Sequence, residues 1–261
     1  RQSKGIPIVN LLQVEKDERV NAVIQINREE ECKYLLFATE GGVVKKTLIS
    51  EFANIRNSGK ICISLRDNDK LIDVKKTTGN DLVLLGSDSG RMVKFNEDEI
   101  RVMGRTASGV RGISLDGSKC ICSEIVKEDD TILLVTEKGY GKQTKVSEYR
   151  QTRRGSKGVK AMNITDKNGS LVSVKIVQDN QELVIMTNSG MTMRMPLDQI
   201  SLLGRVTQGL RLINLKDNQK VSTISLVEKE EVSESAEEEI NNLSENVSNK
   251  DENITEIKET E

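Results

Sequence analysis

Basic residues recur at fixed distances from a repeated glycine in this 261-residue chain. The glycines are Gly5, Gly59, Gly109, Gly158 and Gly209. An arginine stands four residues before the glycine in four of these copies, at Arg1, Arg105, Arg154 and Arg205. A further cation stands two residues after it in three copies, at Arg111, Lys160 and Arg211. Guanidinium and ammonium groups bind phosphate oxygens through charge-assisted hydrogen bonds, so this set favours a surface that binds a polyanion.

A second glycine series is also followed by cations. These glycines are Gly42, Gly90, Gly139 and Gly190. The cations are Lys46, Lys94 and Arg194, four residues past the glycine, and Lys142, three residues past it. The segment before Gly158 adds Arg153 and Lys157, whereas the copy around Gly59 has Ile55 and Ile61 at the two cationic offsets. Because repetition places equivalent residues at equivalent heights, we expect these cations to form one basic rim that is deficient in one repeat.

No residue set for catalysis or metal binding accompanies these cations in the sequence. The chain has no histidine, which excludes Ser-His and Cys-His nucleophile pairs. The glycine-rich stretches 104–109 and 155–158 lack the G-x-x-x-x-G-K-[ST] pattern of a phosphate-binding loop. The four cysteines form no C-x-x-C pair and lack zinc-site spacing: Cys32, Cys62, Cys120 and Cys122. We therefore expect free thiols in a reducing cytoplasm and no cofactor in this segment.

The charge is divided unevenly along the chain. Residues 228–261 carry 13 acids and 3 bases, whereas residues 1–227 carry 28 acids and 36 bases, a net charge of +8. The acidic segment has few apolar residues, so it cannot bury enough surface to offset the entropy of ordering. The sequence therefore predicts a basic domain over 1–227 and a disordered acidic tail over 228–261.

The repeats predict the architecture. Four segments align without gaps around the second glycine series, at residues 35–52, 83–100, 133–150 and 184–201, and each pairs two apolar runs across a turn, as in a β-hairpin. A third, apolar series follows at Leu71, Ile121, Leu171 and Val221. Each period of about 50 residues thus supplies about four short strands. We expect an all-β, propeller-like fold of about five to six four-stranded blades, with the first blade truncated at the N-terminus.

Composition narrows the choice of polyanion. Aromatic residues make up 2% of the chain and tryptophan is absent, which disfavours a single-stranded nucleic acid held by base stacking. No segment has the pattern of a recognition helix for the major groove. The binding mode that is left is contact with the phosphate backbone of duplex DNA, which is largely independent of base sequence.

Several motifs resemble the C-terminal domain of the DNA gyrase A subunit. They are the segments 1–12, 104–113, 135–142 and 204–211, and the similarity extends from residue 1 to about residue 227. The resemblance implies a six-bladed β-pinwheel that wraps duplex DNA positively and supports ATP-dependent negative supercoiling by the whole enzyme. It also implies an A2B2 assembly that includes the rest of the gyrase A subunit, together with the gyrase B subunit. Catalytic tyrosine, ATP and Mg would then act in other parts of that enzyme.

The chain departs from the family at its hallmark box, Q-[RK]-R-G-G-[RK]-G. The nearest match, residues 152–158, has Thr152 in place of glutamine and Ser156 in place of the second glycine. We interpret it as a repeat copy of the box, with Arg153, Arg154 and Lys157 as DNA contacts, and not as the hallmark box itself, which lies in the first blade in this family. Two alternatives stay open at this point: the C-terminal domain of the topoisomerase IV A subunit, and a propeller-like protein-interaction scaffold.

Overall fold

A computed structural model describes residues 5–6, 10, 20, 22–26, 32–53, 59–216 and 218–229. The chain divides into two units, Arg1–Val227 and Glu228–Glu261, and the strands lie in the first unit apart from Glu228, which ends the last strand. Arg1 and residues 230–261 of the predicted tail lie outside the described residues. Over the part of the chain that is described, no helix is long and apolar enough to span a membrane.

The described residues contain fifteen strands. They are β1 (Tyr34–Thr39), β2 (Val43–Leu48), β3 (Leu71–Thr77), β4 (Leu82–Ser87), β5 (Arg91–Asn96), β6 (Val110–Arg111), β7 (Cys120–Val126), β8 (Thr131–Thr136), β9 (Tyr140–Lys145), β10 (Val159–Lys160), β11 (Leu171–Val177), β12 (Gln181–Thr187), β13 (Thr192–Pro196), β14 (Leu210–Arg211) and β15 (Val221–Glu228). A short 3-10 turn follows each hairpin, at Ile49–Phe52, Glu97–Glu99, Val146–Glu148 and Leu197–Gln199.

The four predicted hairpins are confirmed. They are β1–β2, β4–β5, β8–β9 and β12–β13, each antiparallel. Their turn glycines have φ of 74°, 74°, 76° and 80°, a left-handed conformation that side chains bearing a Cβ rarely adopt. The apolar series is confirmed as well, because β3, β7, β11 and β15 cover Leu71, Ile121, Leu171 and Val221.

The sheets are joined by strand exchange. In chain order their strand orders are β3-β1-β2-β6 (first sheet), β10-β5-β4-β7 (second), β11-β8-β9-β14 (third) and β13-β12-β15 (fourth). The two-residue strands β6, β10 and β14 therefore do not pair with the hairpin that precedes them in the chain. Each pairs with the hairpin of the sheet before, as β6 does with β2 through Val43↔Arg111 and Val44↔Val110. We call these three the exchanged strands.

The exchange places the exchanged strands at the outer edge of the sheets. At the opposite edge β3 packs against β7, and β7 packs against β11, so these strands form a common hub. The hydrophobic core lies between consecutive sheets. One cluster joins Val44 to Leu85, the next joins Leu84 to Leu134, and the third joins Leu133 to Leu183. The arrangement confirms an all-β, propeller-like fold.

Glycine is required where an exchanged strand begins. A Cβ at Gly109, Gly158 or Gly209 would lie 2.5, 2.0 or 2.7 Å from a backbone carbonyl oxygen of the accepting hairpin, that of Val44, Met92 or Gly141. These distances are shorter than any tolerated contact with a fixed backbone atom, and φ at the three glycines is 91°, 66° and 76°. Glycine thus recurs at these three positions because two backbones approach each other closely there.

Gly158→Ala tests this requirement. We expect the left-handed conformation to cost about 1–2 kcal/mol and the collision with the Met92 carbonyl to add about 1–3 kcal/mol of forced repacking. Gly190→Ala is the matched control, since Gly190 has φ of 80° but no atom within 4 Å of its added Cβ. Urea denaturation of both variants measures the difference in the free energy of unfolding. Equal losses would show that the close approach has no energetic role.

Candidate nucleic-acid interface

Three exposed cations lie in a row along the outer edge. Arg111, Lys160 and Arg211 are the second residues of the exchanged strands, and all three are exposed. The Lys160 amine donates to Asn163 Oδ1 at 3.0 Å and the Arg211 guanidinium donates to Asn214 Oδ1 at 3.2 Å. These acceptors are neutral, so they orient the positive charges of Lys160 and Arg211 without neutralising them.

The arginines four residues before the glycines connect one repeat to the next. Each lies in an edge loop, defined here as residues 101–109, 150–158 and 201–209, and each is half-buried. Each donates through Nη1 to the carbonyl of the residue two past the glycine in the preceding copy. The pairs are Arg105 to Ile61 (3.3 Å), Arg154 to Arg111 (2.7 Å) and Arg205 to Lys160 (2.8 Å). These arginines therefore set the spacing of the edge while they add charge to it.

Two glutamates hold the edge loops in place. Glu99 Oε2 accepts a hydrogen bond from the backbone N–H of Arg154 at 2.9 Å, and Glu148 Oε2 accepts one from that of Arg205 at 2.8 Å. Each acid belongs to the 3-10 turn of the repeat that comes before the loop it binds: Glu99 lies in the turn 97–99 and Glu148 in the turn 146–148. A carboxylate bound to a backbone N–H fixes the loop and leaves the arginine side chain available to other acceptors.

The prediction that Lys46 and Lys94 lie on an exposed rim is wrong. Their exposed fractions are 4% and 2%, and their amines donate to carbonyls that begin the 3-10 turn of the next sheet. Gln143 occupies the same position in the third sheet and makes the same contact. The pairs are Lys46 to Glu97 (2.9 Å), Lys94 to Val146 (3.2 Å) and Gln143 to Leu197 (2.7 Å). Because glutamine makes the same contact, this hydrogen bond needs a long donor but no charge, although Lys46 and Lys94 also pair with Glu97 and Glu128.

The same correction applies to Lys142, which is fully buried. Its amine donates to Gly204 O at 2.7 Å, Arg205 O at 2.8 Å and Thr207 Oγ1 at 3.2 Å, all in the edge loop of the fourth repeat. Lys45 occupies the equivalent position in the first sheet and donates to the carbonyls of Cys62 and Arg105. Sequence reasoning missed Lys45, although its position three residues past Gly42 could have identified it.

Burial lowers the pKa of these inward lysines. It lowers the pKa of the Lys142 amine to about 8, with Glu148 opposing the shift and Arg205 adding to it. Burial also lowers the pKa of Lys45, an effect that Cys62 opposes and Arg105 reinforces. A lysine held this way stabilises a loop and is not available to a phosphate in solution.

The other predicted cations are exposed and differ in their partners. Arg153 and Lys157 lie in the second edge loop, where Lys157 forms an ion pair with Asp116 at 2.7 Å. Arg194 lies in β13 and pairs with Glu182. Their roles as DNA contacts stay predictions, as do those of the three edge-loop arginines and the row of Arg111, Lys160 and Arg211.

Sequence reasoning missed three exposed arginines beside this row. Arg91 begins β5 and donates to Lys157 O and Gly158 O, both at 3.0 Å, so it holds the exchanged strand β10 in place. Arg101 and Arg150 are exposed at equivalent positions at the start of two edge loops. Both precede a predicted arginine by four residues, so the same repeat spacing could have identified them.

The fold and this edge define a propeller-like repeat protein whose strand-exchanged sheets present a row of cations. A family model described as DNA gyrase C-terminal domain, beta-propeller, matches residues 33–78, 81–121, 130–178 and 181–228. The DNA gyrase A subunit of Staphylococcus epidermidis is 43% identical over 88% of this chain and 26% of its own length. That of Staphylococcus aureus strain MRSA252 is 42% identical over 94% of this chain and 28% of its own length. The chain belongs to the DNA gyrase C-terminal domain family.

Solved structures agree with this assignment. The C-terminal domain of DNA topoisomerase IV superposes with a TM-score of 0.80 at 26% identity, covering 91% of this chain and 75% of that one. The DNA gyrase A C-terminal domain superposes with a TM-score of 0.75 at 25% identity, covering 86% and 76%. The curated relatives named above, at 42–43% identity over most of the chain, are DNA gyrase A subunits, so the topoisomerase IV alternative is not favoured. The chain spans about a quarter of the length of the curated relatives it matches.

Lys142 makes the stability pH-dependent between about pH 8 and its ordinary pKa of 10.5. Its pKa is lower in the folded state, so the unfolded chain binds more protons in this range and the free energy of unfolding rises with pH. We expect Lys142→Gln to reduce that rise. Lys145→Gln, which replaces an exposed lysine of the same strand, is the control and should leave it unchanged. Urea denaturation across this range measures both, and a rise of wild-type size in Lys142→Gln would contradict the account.

Proposed function

We propose that this chain binds duplex DNA through the phosphate backbone along its outer edge and bends the DNA around that edge. The observation that carries the proposal is the row of Arg111, Lys160 and Arg211, at equivalent positions on three consecutive exchanged strands. The sheets that accept these strands follow one another around the common hub. A row of phosphate-binding groups that follows the sheets therefore favours a curved duplex over a straight one.

The free energy needed to bend duplex DNA requires several phosphate contacts along the edge. Bending 20–30 base pairs by 40–90° costs roughly 1–6 kcal/mol, so a single cationic patch would not sustain a wrap. Exposed cations on successive repeats can offset this cost. Contacts with phosphate groups carry no direct sequence information, so we propose that binding is largely independent of sequence.

In the parent enzyme this chain would serve as the DNA-wrapping part of the DNA gyrase A subunit. The family assignment and the names of the relatives support this role. We propose that the parent is an ATP-dependent type II topoisomerase, an A2B2 assembly with the gyrase B subunit that introduces negative supercoils in the cytoplasm. Strand cleavage, ATP and Mg would belong to other parts of that assembly, and this segment would need no cofactor and supply no catalytic residue.

The salt dependence of DNA binding tests the proposal. Fluorescence anisotropy with a 30-base-pair duplex should give a plot of log K against log salt with a slope of about −0.9 for each phosphate neutralised. Three edge cations predict a slope of about −2.7 or steeper. We expect Arg111→Gln to make the slope shallower by about 1.

Lys94→Gln is the matched control for Arg111→Gln. It removes the same charge from a buried site at which the third sheet already carries glutamine, Gln143. We expect the control to retain the wild-type slope, because the Lys94 amine contacts the Val146 carbonyl and the Glu128 carboxylate. A flat salt response in the wild-type chain would contradict duplex binding by the edge, and equal slopes in the two variants would contradict the assignment of Arg111.

A further inference from the structure

A cationic cleft of about 310 Å³ lies beside the β8–β9 turn, between that turn and the loop that follows β14. Four cations line it: Lys138, Lys167, Arg211 and Lys216. The remaining lining residues that the structure describes are neutral and include Tyr140, and no carboxylate is among them. Four positive groups around one small volume repel each other, which favours occupation by an anion.

Arg211 is held rigidly at this cleft. The hydroxyl of the buried Tyr140 accepts hydrogen bonds from Arg211 Nη2 at 2.9 Å and Nε at 3.3 Å, and Asn214 Oδ1 accepts one from Nη1 at 3.2 Å. The guanidinium carbon lies 5.5 Å from the centroid of the Tyr140 ring, and the Lys167 amine lies 5.7 Å from it. The two cations are thus gathered by one aromatic ring rather than by an acid, and the site is organised before any ligand arrives.

The equivalent cleft in the first sheet has the opposite character. It lies against the β1–β2 turn and is lined by Glu40, Asp67 and Asp69 together with Arg66 and Lys119. Lys119 pairs with Glu40 at 2.9 Å, and Asp69 accepts the backbone N–H of Gly41 at 2.7 Å. The repeat does not make this cleft cationic by itself. The cationic lining belongs to the third sheet.

We propose that the cleft in the third sheet binds a phosphate group. A fixed guanidinium and three ammonium groups around one cleft supply the positive charge and the N–H donors that bind phosphate oxygens. The Tyr140 ring is 7% exposed and lies beneath these cations, so it supports them and does not stack on a base. Arg211 also belongs to the outer-edge row. Where the proposed function holds, and this step rests on it, the group is a phosphate of the bound duplex and the cleft is a stronger contact within that row.

The test uses the full 261-residue chain and the double variant Lys167→Gln/Lys216→Gln. Both lysines are exposed, so the variant should fold. Its matched control is Arg66→Gln/Lys119→Gln, which removes two charges from the equivalent cleft of the first sheet. In one arm, inorganic phosphate is titrated while the backbone amide signals of residues 138–140 and 211–219 are followed by NMR. In the other arm, the salt slope of binding to a 30-base-pair duplex is measured.

We expect phosphate to shift these amide signals in the wild-type chain and in the control, and the shifts to be lost in the Lys167→Gln/Lys216→Gln variant. If the source is DNA, the salt slope of that variant also becomes shallower by about 1 relative to the control. Loss of the phosphate shifts with an unchanged slope identifies free phosphate as the ligand and still supports the site. The proposed phosphate site would be overturned if phosphate shifted none of these amide signals in the wild-type chain and the salt slopes of the double variant and its control were equal. Failure of the wild type to bind duplex would contradict the proposed function alone, because the phosphate arm does not use DNA.

Discussion

The close approach of two backbones at each exchanged strand is the constraint on which the rest of the structure depends. At Gly158 the exchanged chain passes so near the Met92 carbonyl that a single Cβ would lie 2.0 Å from it. After β9 the chain leaves the third sheet, pairs as β10 with β5 of the second sheet and returns to the third sheet as β11. The second and third repeats are therefore joined by hydrogen bonds as well as by the chain itself. The outer edge is therefore a continuous sequence of loops, and its cations take their spacing from the exchange.

The side chains around the exchange divide into two groups with different tasks. Lys45 and Lys142 point inward and hold edge-loop carbonyls, and the carbonyl of Arg205 is among the acceptors of Lys142. Arg205 in turn donates its guanidinium to the preceding repeat. Cations of the repeats thus serve as internal donors or as surface charge, according to where each side chain points. Position within the repeat decides which.

Much of the fold was predictable because its signals are local. Gly42 and Gly90 mark tight turns between apolar runs, and such a hairpin is determined by residues adjacent in sequence. The exchange was not predictable, because β6 pairs with a strand more than 60 residues earlier and a two-residue strand has no pattern of its own. The rim was partly mispredicted for a related reason. Counting offsets from a glycine cannot tell that Lys94 points into the next sheet while Arg111 points into solvent, and only Gln143 hinted that a donor suffices at that position.

Wrapping is the central claim, and DNA topology measures it most directly. Nicked circular plasmid would be ligated in the presence of increasing amounts of the chain, freed of protein and resolved by gel electrophoresis. A positive wrap around the outer edge predicts a distribution of topoisomers displaced toward positive linking difference, growing with the amount bound. An undisplaced distribution at saturating, salt-sensitive binding would contradict the account, because it would show a chain that binds duplex DNA without bending it into a wrap.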